Sequence, residues 1–277
     1  MNLDDNIDLS FHVDQQDFKN IKYFIYKKKQ YPIDFDKLKK NSRYFYQNRK
    51  LFKQITDIII LDDVDDKLIS IQEETIQAFI ASCQNEPCKI HLSDVIPLQY
   101  LSYKYEFPKL ISITENFIQE HSDKLVFHSI LFKSSLRPNN STFSIPANFF
   151  TTKNEEELIS EHLHEYIQND QMLLLPIPVI HRILTNFKSK SDKNVNKISN
   201  ELIEFLFKLL DKYGKEASVL FSLIDFENQQ IFVMNKLIQN YSNIFDFNYI
   251  NSTLLKTTIQ LTNEVAKIKE EYSIYFM

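Results

Sequence analysis

The chain has a single glycine, Gly214, among its 277 residues, whereas an average composition would supply roughly 19. Glycine provides the positive φ angles and the close backbone approach that phosphate-binding loops require. The sequence therefore excludes a P-loop, a dinucleotide-binding fingerprint and the G-x-S-x-G elbow of many hydrolases. We expect a non-enzymatic protein that works through its surfaces, and we predict no cofactor.

Cysteines and long apolar runs are also scarce. Cys83 and Cys88 are the two cysteines, and they do not make a disulfide framework. The longest apolar stretch, residues 172–180, is interrupted by Pro176 and Pro178 and is too short to span a bilayer. Because the first twenty residues lack a basic region followed by an apolar one, we predict no signal peptide. We expect an intracellular protein, cytoplasmic or nuclear, with no membrane partner.

Aromatic residues are abundant, with 23 Phe and 14 Tyr, and hydrophobic residues make up 43% of the chain. A sizeable core is therefore available, in one large or two modest domains.

Charge is unevenly distributed along the chain, because residues 19–53 carry a net +10 and residues 54–75 a net −6. The basic block could bind nucleic acid, but the neighbouring acidic block opposes a polyanion, so we favour a solvated helix face.

Hydrophobic periodicity predicts short strands in the first half of the chain and only helices in the second. The strands cluster before most of the helices, which favours an α+β class over βαβ alternation. Asp34 or Asp36 and Ser93 are candidate N-caps, Asn200 is a third, and Gly214 stands where a helix C′ residue belongs. Strands are predicted at 21–26, 31–33, 58–61 and 90–92, and Pro32 places the second of them at a sheet edge. Helices are predicted at 35–52, 71–83, 95–102, 110–118, 125–132, 155–168, 178–187, 200–213, 216–225, 228–241 and 252–272.

One segment of the first half carries a gapless motif. Pro32-Ile-Asp-Phe-Asp-Lys-Leu-Lys-Lys-Asn-Ser-Arg-Tyr-Phe45 resembles the signature of BTB (POZ) domains, Pro-x-His-x-x-x-Leu-x-x-x-Ser-x-Tyr-Phe, with Asp34 in place of the histidine. Leu101-Ser-Tyr-Lys-Tyr-Glu-Phe-Pro-Lys-Leu110 is similar to a later helix and break of that family. The resemblance covers about residues 20–120 and implies a short-strand sheet flanked by helices.

The second half is similar to the helical BACK region that often follows a BTB domain. The residues that carry this resemblance are Leu174-Leu-Pro-Ile-Pro-Val-Ile-His-Arg-Ile-Leu184 and Asn200-Glu-Leu-Ile-Glu-Phe-Leu206. We therefore predict four segments: an N-terminal extension at 1–19, a BTB-like domain at 20–132, a linker at 133–154 and an all-α BACK-like domain at 155–277.

The family resemblance implies a protein-interaction module, often a substrate adaptor for cullin ubiquitin ligases. Such adaptors carry a hydrophobic-x-Glu element after their third helix, where this chain has Gln84 and Glu86. Three tyrosines are aromatic anchors that would suit an interface. We therefore predict these protein-binding residues: Gln84, Glu86, Tyr100, Tyr103 and Tyr105. The expected partners are proteins, among them a cullin scaffold and a substrate, or a second copy in a homodimer.

Two alternatives stay open beside the adaptor: a self-associating scaffold without a ligase role, and a nucleic-acid binder that uses residues 19–53. Cys83, Cys88 and His91 form a C-x4-C-x2-H cluster, but this set is one ligand short of a zinc site, so we predict no metal. In the run Tyr44-Phe45-Tyr46 we expect Phe45 in the core and Tyr46 half exposed, because large aromatics dominate cores.

Overall fold

A computed structural model describes residues 6–9, 20–54, 58–60, 71–136, 145–190, 200–223, 231–241 and 243–244. The chain divides into two compact units, unit 1 at Met1–Glu155 and unit 2 at Glu156–Met277. It is mostly helical and has two small sheets in unit 1, in agreement with an α+β class. No helix within the described ranges is both long enough and apolar enough to cross a bilayer.

Unit 1 contains five strands and seven helices in its described parts. The strands are β1 Asn6–Leu9, β2 Ile21–Tyr26, β3 Lys29–Asp34, β4 Ile58–Ile60 and β5 Cys88–His91. The helices are α1 Phe35–Asn41, α2 Arg43–Gln47, α3 Arg49–Gln54, α4 Glu73–Gln84, α5 Val95–Lys104, α6 Pro108–Glu120 and α7 Ser122–Ser135, with short 3₁₀ helices at Leu92–Asp94 and Ala147–Phe150.

The larger sheet has the strand order β3-β2-β4, in which β2 and β3 are antiparallel and β2 and β4 are parallel. Pro32 therefore lies in an edge strand, as predicted, because proline cannot donate a ladder hydrogen bond. Alternation along β2 buries Lys22, Phe24 and Tyr26 on one face. The strand β1, which the sequence did not predict, pairs antiparallel with β5 in the smaller sheet.

The aromatic core of unit 1 centres on Phe45, which is fully buried, whereas Tyr46 is 56% exposed; both predictions are confirmed. Ring centroids of five other aromatic residues lie 5.2–6.4 Å from that of Phe45. Within the stretch predicted as a linker, Ile145 and Phe149 are also buried in this core. Aromatic pairs at such separations each contribute about 0.5–1.5 kcal/mol beyond their area burial.

Several predicted helices are divided in the structure. The helix predicted at 35–52 is three helices. Ser42, which has extended backbone (φ −119°, ψ 128°) and whose side chain caps α2, separates α1 from α2, and Asn48 separates α2 from α3. Asp34 caps α1 by accepting from the backbone N–H groups of Asp36 and Lys37. Ser93 is not a cap, since a 3₁₀ turn leads into α5 without a side-chain cap hydrogen bond.

Unit 2 consists of helices in its described parts. They are α8 Lys153–Glu161 (which begins in unit 1), α9 Leu163–Tyr166, α10 Ile177–Lys190, α11 Asn200–Tyr213 and α12 Ile231–Tyr241, with 3₁₀ helices at Asp170–Leu174 and Gly214–Leu223. The helix predicted at 155–168 is thus two helices, and that predicted at 216–225 is a 3₁₀ helix. The helix predicted at 252–272 lies outside the described residues.

Gly214 follows the last residue of α11 with φ +57°, which confirms its prediction as a helix C′ residue. The core of unit 2 includes Ile180, Ile183, Leu206, Leu209 and Leu220, all nearly inaccessible to solvent. The apolar face of α11 packs on the following 3₁₀ helix, which also contacts α10.

A charged pair joins α8 to α10. The buried carboxylate of Glu156 accepts two hydrogen bonds from Arg182, 2.9 Å from Nε and 2.7 Å from the terminal guanidinium nitrogen. Such bidentate pairs combine charge with fixed geometry. The Glu156 side chain is 5% exposed and that of Arg182 51%, so loss of the arginine would leave a desolvated carboxylate without these two donors.

We therefore expect Arg182→Met to lower the free energy of unfolding by about 1–2 kcal/mol. Arg182→Lys should lower the free energy of unfolding by a smaller amount, because an ammonium keeps the charge but cannot reproduce the bidentate geometry. Urea unfolding followed by far-ultraviolet circular dichroism measures both. If Arg182→Met unfolds at the same urea concentration as the parent chain, the pair does not stabilise unit 2.

The β2–β3 hairpin has a two-residue turn, Lys27-Lys28, in which both residues have positive φ (46° and 66°). This is the signature of a type I′ turn, for which Asn-Gly is preferred. A side chain with a Cβ is strained in this region. The shortage of glycine thus leaves two lysines in left-handed backbone.

Lys28→Gly should raise the free energy of unfolding by about 1 kcal/mol, because the left-handed strain exceeds the entropy that glycine loses on folding. Lys28→Ala removes the same charge but keeps the strain, and serves as the matched control. If both variants raise the free energy of unfolding equally, the stabilisation comes from the loss of charge, which contradicts the strain argument.

Candidate protein-binding site

The end of α4 and the loop that follows it contain Gln84 and Glu86, two of the residues predicted to bind protein, and the backbone here is closely held. Asn85 takes the left-handed conformation (φ 56°) directly after α4. The N–H of Asn85 donates to the carbonyl of Ser82 at 3.2 Å, and that of Glu86 donates to Ala81 at 2.8 Å. These two bonds form a Schellman motif, with asparagine in the position that glycine usually takes.

Gln84 faces inward. It is 6% exposed, and its side-chain carbonyl accepts from the backbone N–H of Asp34 at 3.2 Å. The Asn41 amide donates to the Cys83 carbonyl at 2.8 Å, which also ties the end of α4 to α1. Glu86 is half-buried and Pro87 is exposed. Of Gln84 and Glu86, Glu86 is therefore the one that a partner could reach.

Two of the three predicted tyrosines belong to the core. Tyr100 is 4% exposed and packs edge-on against Phe132, with ring centroids 5.8 Å apart. Tyr105 is 6% exposed and stacks on Phe45 at 5.5 Å. These rings stabilise unit 1 and are not accessible as interface anchors.

Tyr103 is the third tyrosine, and it is half-buried on α5. Its hydroxyl donates a hydrogen bond to Glu115 on α6. Burial, together with this bond to a carboxylate, raises the pKa of Tyr103 above its ordinary value, so the phenol stays protonated and remains a donor. Tyr103 and Glu86 are thus the two predicted site residues at the surface, on α5 and in the α4–β5 loop respectively.

The turn between α5 and α6 meets the start of α2. Ser42 Oγ donates to the Tyr105 carbonyl at 2.5 Å and accepts from the backbone N–H of Phe45 at 3.2 Å. The N–H of Arg43 donates to the carbonyl of Glu106 at 3.0 Å. Glu106 itself has φ +51°. This junction brings Arg43 and Glu106 together at the surface, which the sequence reasoning missed because no local signal marks a contact across 63 residues.

The positions of both cysteines suit a structural role. Cys83 is buried and Cys88 half-buried, and Cys88 Sγ lies 3.6 Å from Ser82 Oγ. Burial raises the pKa of both thiols, which disfavours the thiolate that a metal requires. Among the described residues, no three metal-ligating side chains come together.

The basic block at 19–53 does not form a uniform cationic face. Lys22 is 5% exposed and its ammonium lies 5.3 Å from the centroid of the Phe35 ring. Lys29 pairs with Glu73, and Lys39 pairs with Asp36 at 2.6 Å. These contacts partly neutralise the positive charge that a nucleic acid would need.

Comparison of the sequence with protein-family models and with curated proteins gives no match.

Asn85→Ala should lower the free energy of unfolding by about 1 kcal/mol, because alanine is strained at this positive φ. Asn85→Gly keeps the left-handed geometry and should be as stable as the parent chain or slightly more stable. Thermal unfolding followed by circular dichroism compares the three proteins. Equal destabilisation by both substitutions would show that the asparagine side chain, and not its backbone conformation, matters here.

Proposed function

We propose that the chain is a non-enzymatic protein-interaction module, with a BTB-like unit 1 and a BACK-like helical unit 2. In its sharper form, the proposal is a substrate adaptor of a cullin-type ubiquitin ligase. The BTB-like unit would bind the cullin scaffold or a second copy, and the helical unit would act as a rigid arm.

The observation that carries the proposal is a direct contact between the two segments that resemble BTB motifs, residues 32–45 and 101–110. Leu38 and Phe45, from the first motif, are fully buried. Ser42, from the same motif, bonds to Tyr105 in the second segment. A resemblance by chance would not require the matched residues to have such interlocking roles.

The sheet supports the same proposal. A hairpin followed by short helices and a strand that returns parallel to β2 gives a small sheet with helices after it. This agrees with the short-strand sheet flanked by helices that the resemblance implies. The α4–β5 loop carries Glu86, which is half-buried and can be reached by a partner.

Exposed apolar residues on unit 1 support a protein partner. Tyr46 and Leu51 are 56% and 53% exposed, and Arg49 lies over the Tyr46 ring at 4.4 Å. Tyrosine and arginine are enriched among residues that dominate interface affinity. Ile21 and Tyr23, exposed on the outer face of β2, favour self-association as the second candidate function.

The adaptor proposal is tested by immobilising the full chain and applying the N-terminal domain of a cullin scaffold at micromolar concentration. We expect retention, with a loss of about tenfold or more in affinity for Glu86→Lys, because this reverses an accessible charge in the loop. Glu120→Lys changes an exposed acid at the end of α6 and is the matched control.

A folded chain that retains no cullin would contradict the adaptor role. Light scattering then addresses the second candidate, since a strict monomer at high concentration would exclude the self-associating scaffold.

A further inference from the structure

Unit 1 has a surface cavity of about 480 Å³ where α2, the α5–α6 turn and α6 meet. Its lining combines two carboxylates, a phenol and apolar surface with one guanidinium. The residues that matter here are Arg43, Tyr103, Glu106, Pro108, Ile111 and Glu115. A cavity of this size takes a long side chain together with some of the backbone that carries it.

The backbone places these groups before any ligand arrives. The hydrogen bond from Arg43 N–H to the Glu106 carbonyl joins two sides of the cavity. The bond from Tyr103 to Glu115 ties α5 to α6 beside it. A preformed site loses little conformational entropy when it binds.

The chemistry of the lining fits a long basic side chain. Ile111 and Pro108 offer apolar contact to an aliphatic stem. Glu106 and Glu115 offer two carboxylates to a cationic head, and the Tyr103 ring is a surface for a cation. Each part of a lysine or arginine side chain thus has a counterpart in the cavity.

The charges favour a cation over an anion in the cavity. Glu106 is half-buried, whereas Arg43 is exposed to solvent, and a partly desolvated charge interacts more strongly than a solvated one. The exposed guanidinium of Arg43 remains able to pair with an acidic neighbour in the same ligand, which would set its orientation. Tyr46, one turn further along α2, is an exposed aromatic surface next to Arg43 in the helix.

We propose that this cavity is a docking pocket for a lysine or arginine side chain of a partner polypeptide. The inference rests on the proposed function as an interaction module, and it assigns the recognition of a basic anchor to α2, α6 and the turn before α6. It does not depend on the α4–β5 loop, which the cullin experiment addresses.

The test uses the full chain labelled with ¹⁵N and titrated with N-acetyl-arginine amide, observed by NMR. We expect saturable shifts at millimolar probe concentration in the backbone amides of Glu106, Glu115 and Ser112, which also lines the cavity. Affinity should fall as salt is raised, because the contact is largely between charges. N-acetyl-norleucine amide has a similar aliphatic stem without the charge and should bind far more weakly.

The double variant Glu106→Gln, Glu115→Gln should weaken the arginine probe by about tenfold or more. Glu120→Gln removes an acid from the same helix outside the cavity and should leave affinity unchanged. All three substituted residues are exposed or half-buried, and the dispersion of the amide spectrum verifies the fold of each variant.

Three results would overturn the pocket: no saturable shift at these amides, equal binding of the norleucine probe, or tighter binding of N-acetyl-glutamate amide, which would make Arg43 the dominant group. If the cullin is retained but the arginine probe does not bind, only this inference fails. If the probe binds but neither cullin binding nor self-association is observed, the pocket stands, whereas the adaptor and scaffold forms of the proposed function fail.

Discussion

Unit 1 depends on the docking of the start of α2 against the turn between α5 and α6. Ser42 ends α1, caps α2 and donates to the carbonyl of Tyr105, so one hydroxyl fixes both a helix boundary and a long-range contact. Phe45 then stacks on Tyr105 and contacts the rings of neighbouring elements. Because a buried carbonyl left without a donor costs about 1–3 kcal/mol, this junction links local helix chemistry to the core.

The scarcity of glycine affects several turns of unit 1. Within the described residues, a residue with a side chain takes the left-handed position at three of them: lysine in the β2–β3 hairpin, Asn85 after α4 and Glu106 before α6. At position 214 the left-handed backbone is occupied by glycine, the residue that this conformation prefers. The strain at Lys28 and Glu106 is tolerated because the hydrogen bonds and ring contacts around these turns determine their shape.

The surface of unit 1 is mixed in charge, although the sequence separates its charges into blocks. Basic residues of α1 and β3 meet carboxylates from α1 and α4, and Arg43 lies beside the acids of the α5–α6 region. Folding therefore converts a basic stretch into a patchwork of both signs. Such a surface attracts a polyanion less strongly than a uniformly basic one would.

The sequence by itself determined most of the strand and helix segments among the described residues, the edge position of Pro32, the burial of Phe45 and the C′ role of Gly214, because each follows from local periodicity or backbone preference. It marked five residues as protein-binding, of which Glu86 and Tyr103 are half-buried, whereas Gln84, Tyr100 and Tyr105 are buried. Only the tertiary structure decided the burial of these residues. It also decided the separation of α1 from α2 at Ser42, the pairing of β1 with β5 and the cavity between Arg43 and Glu115. The physical reason is that burial and long-range contact depend on which segments meet in space, and no local pattern records that.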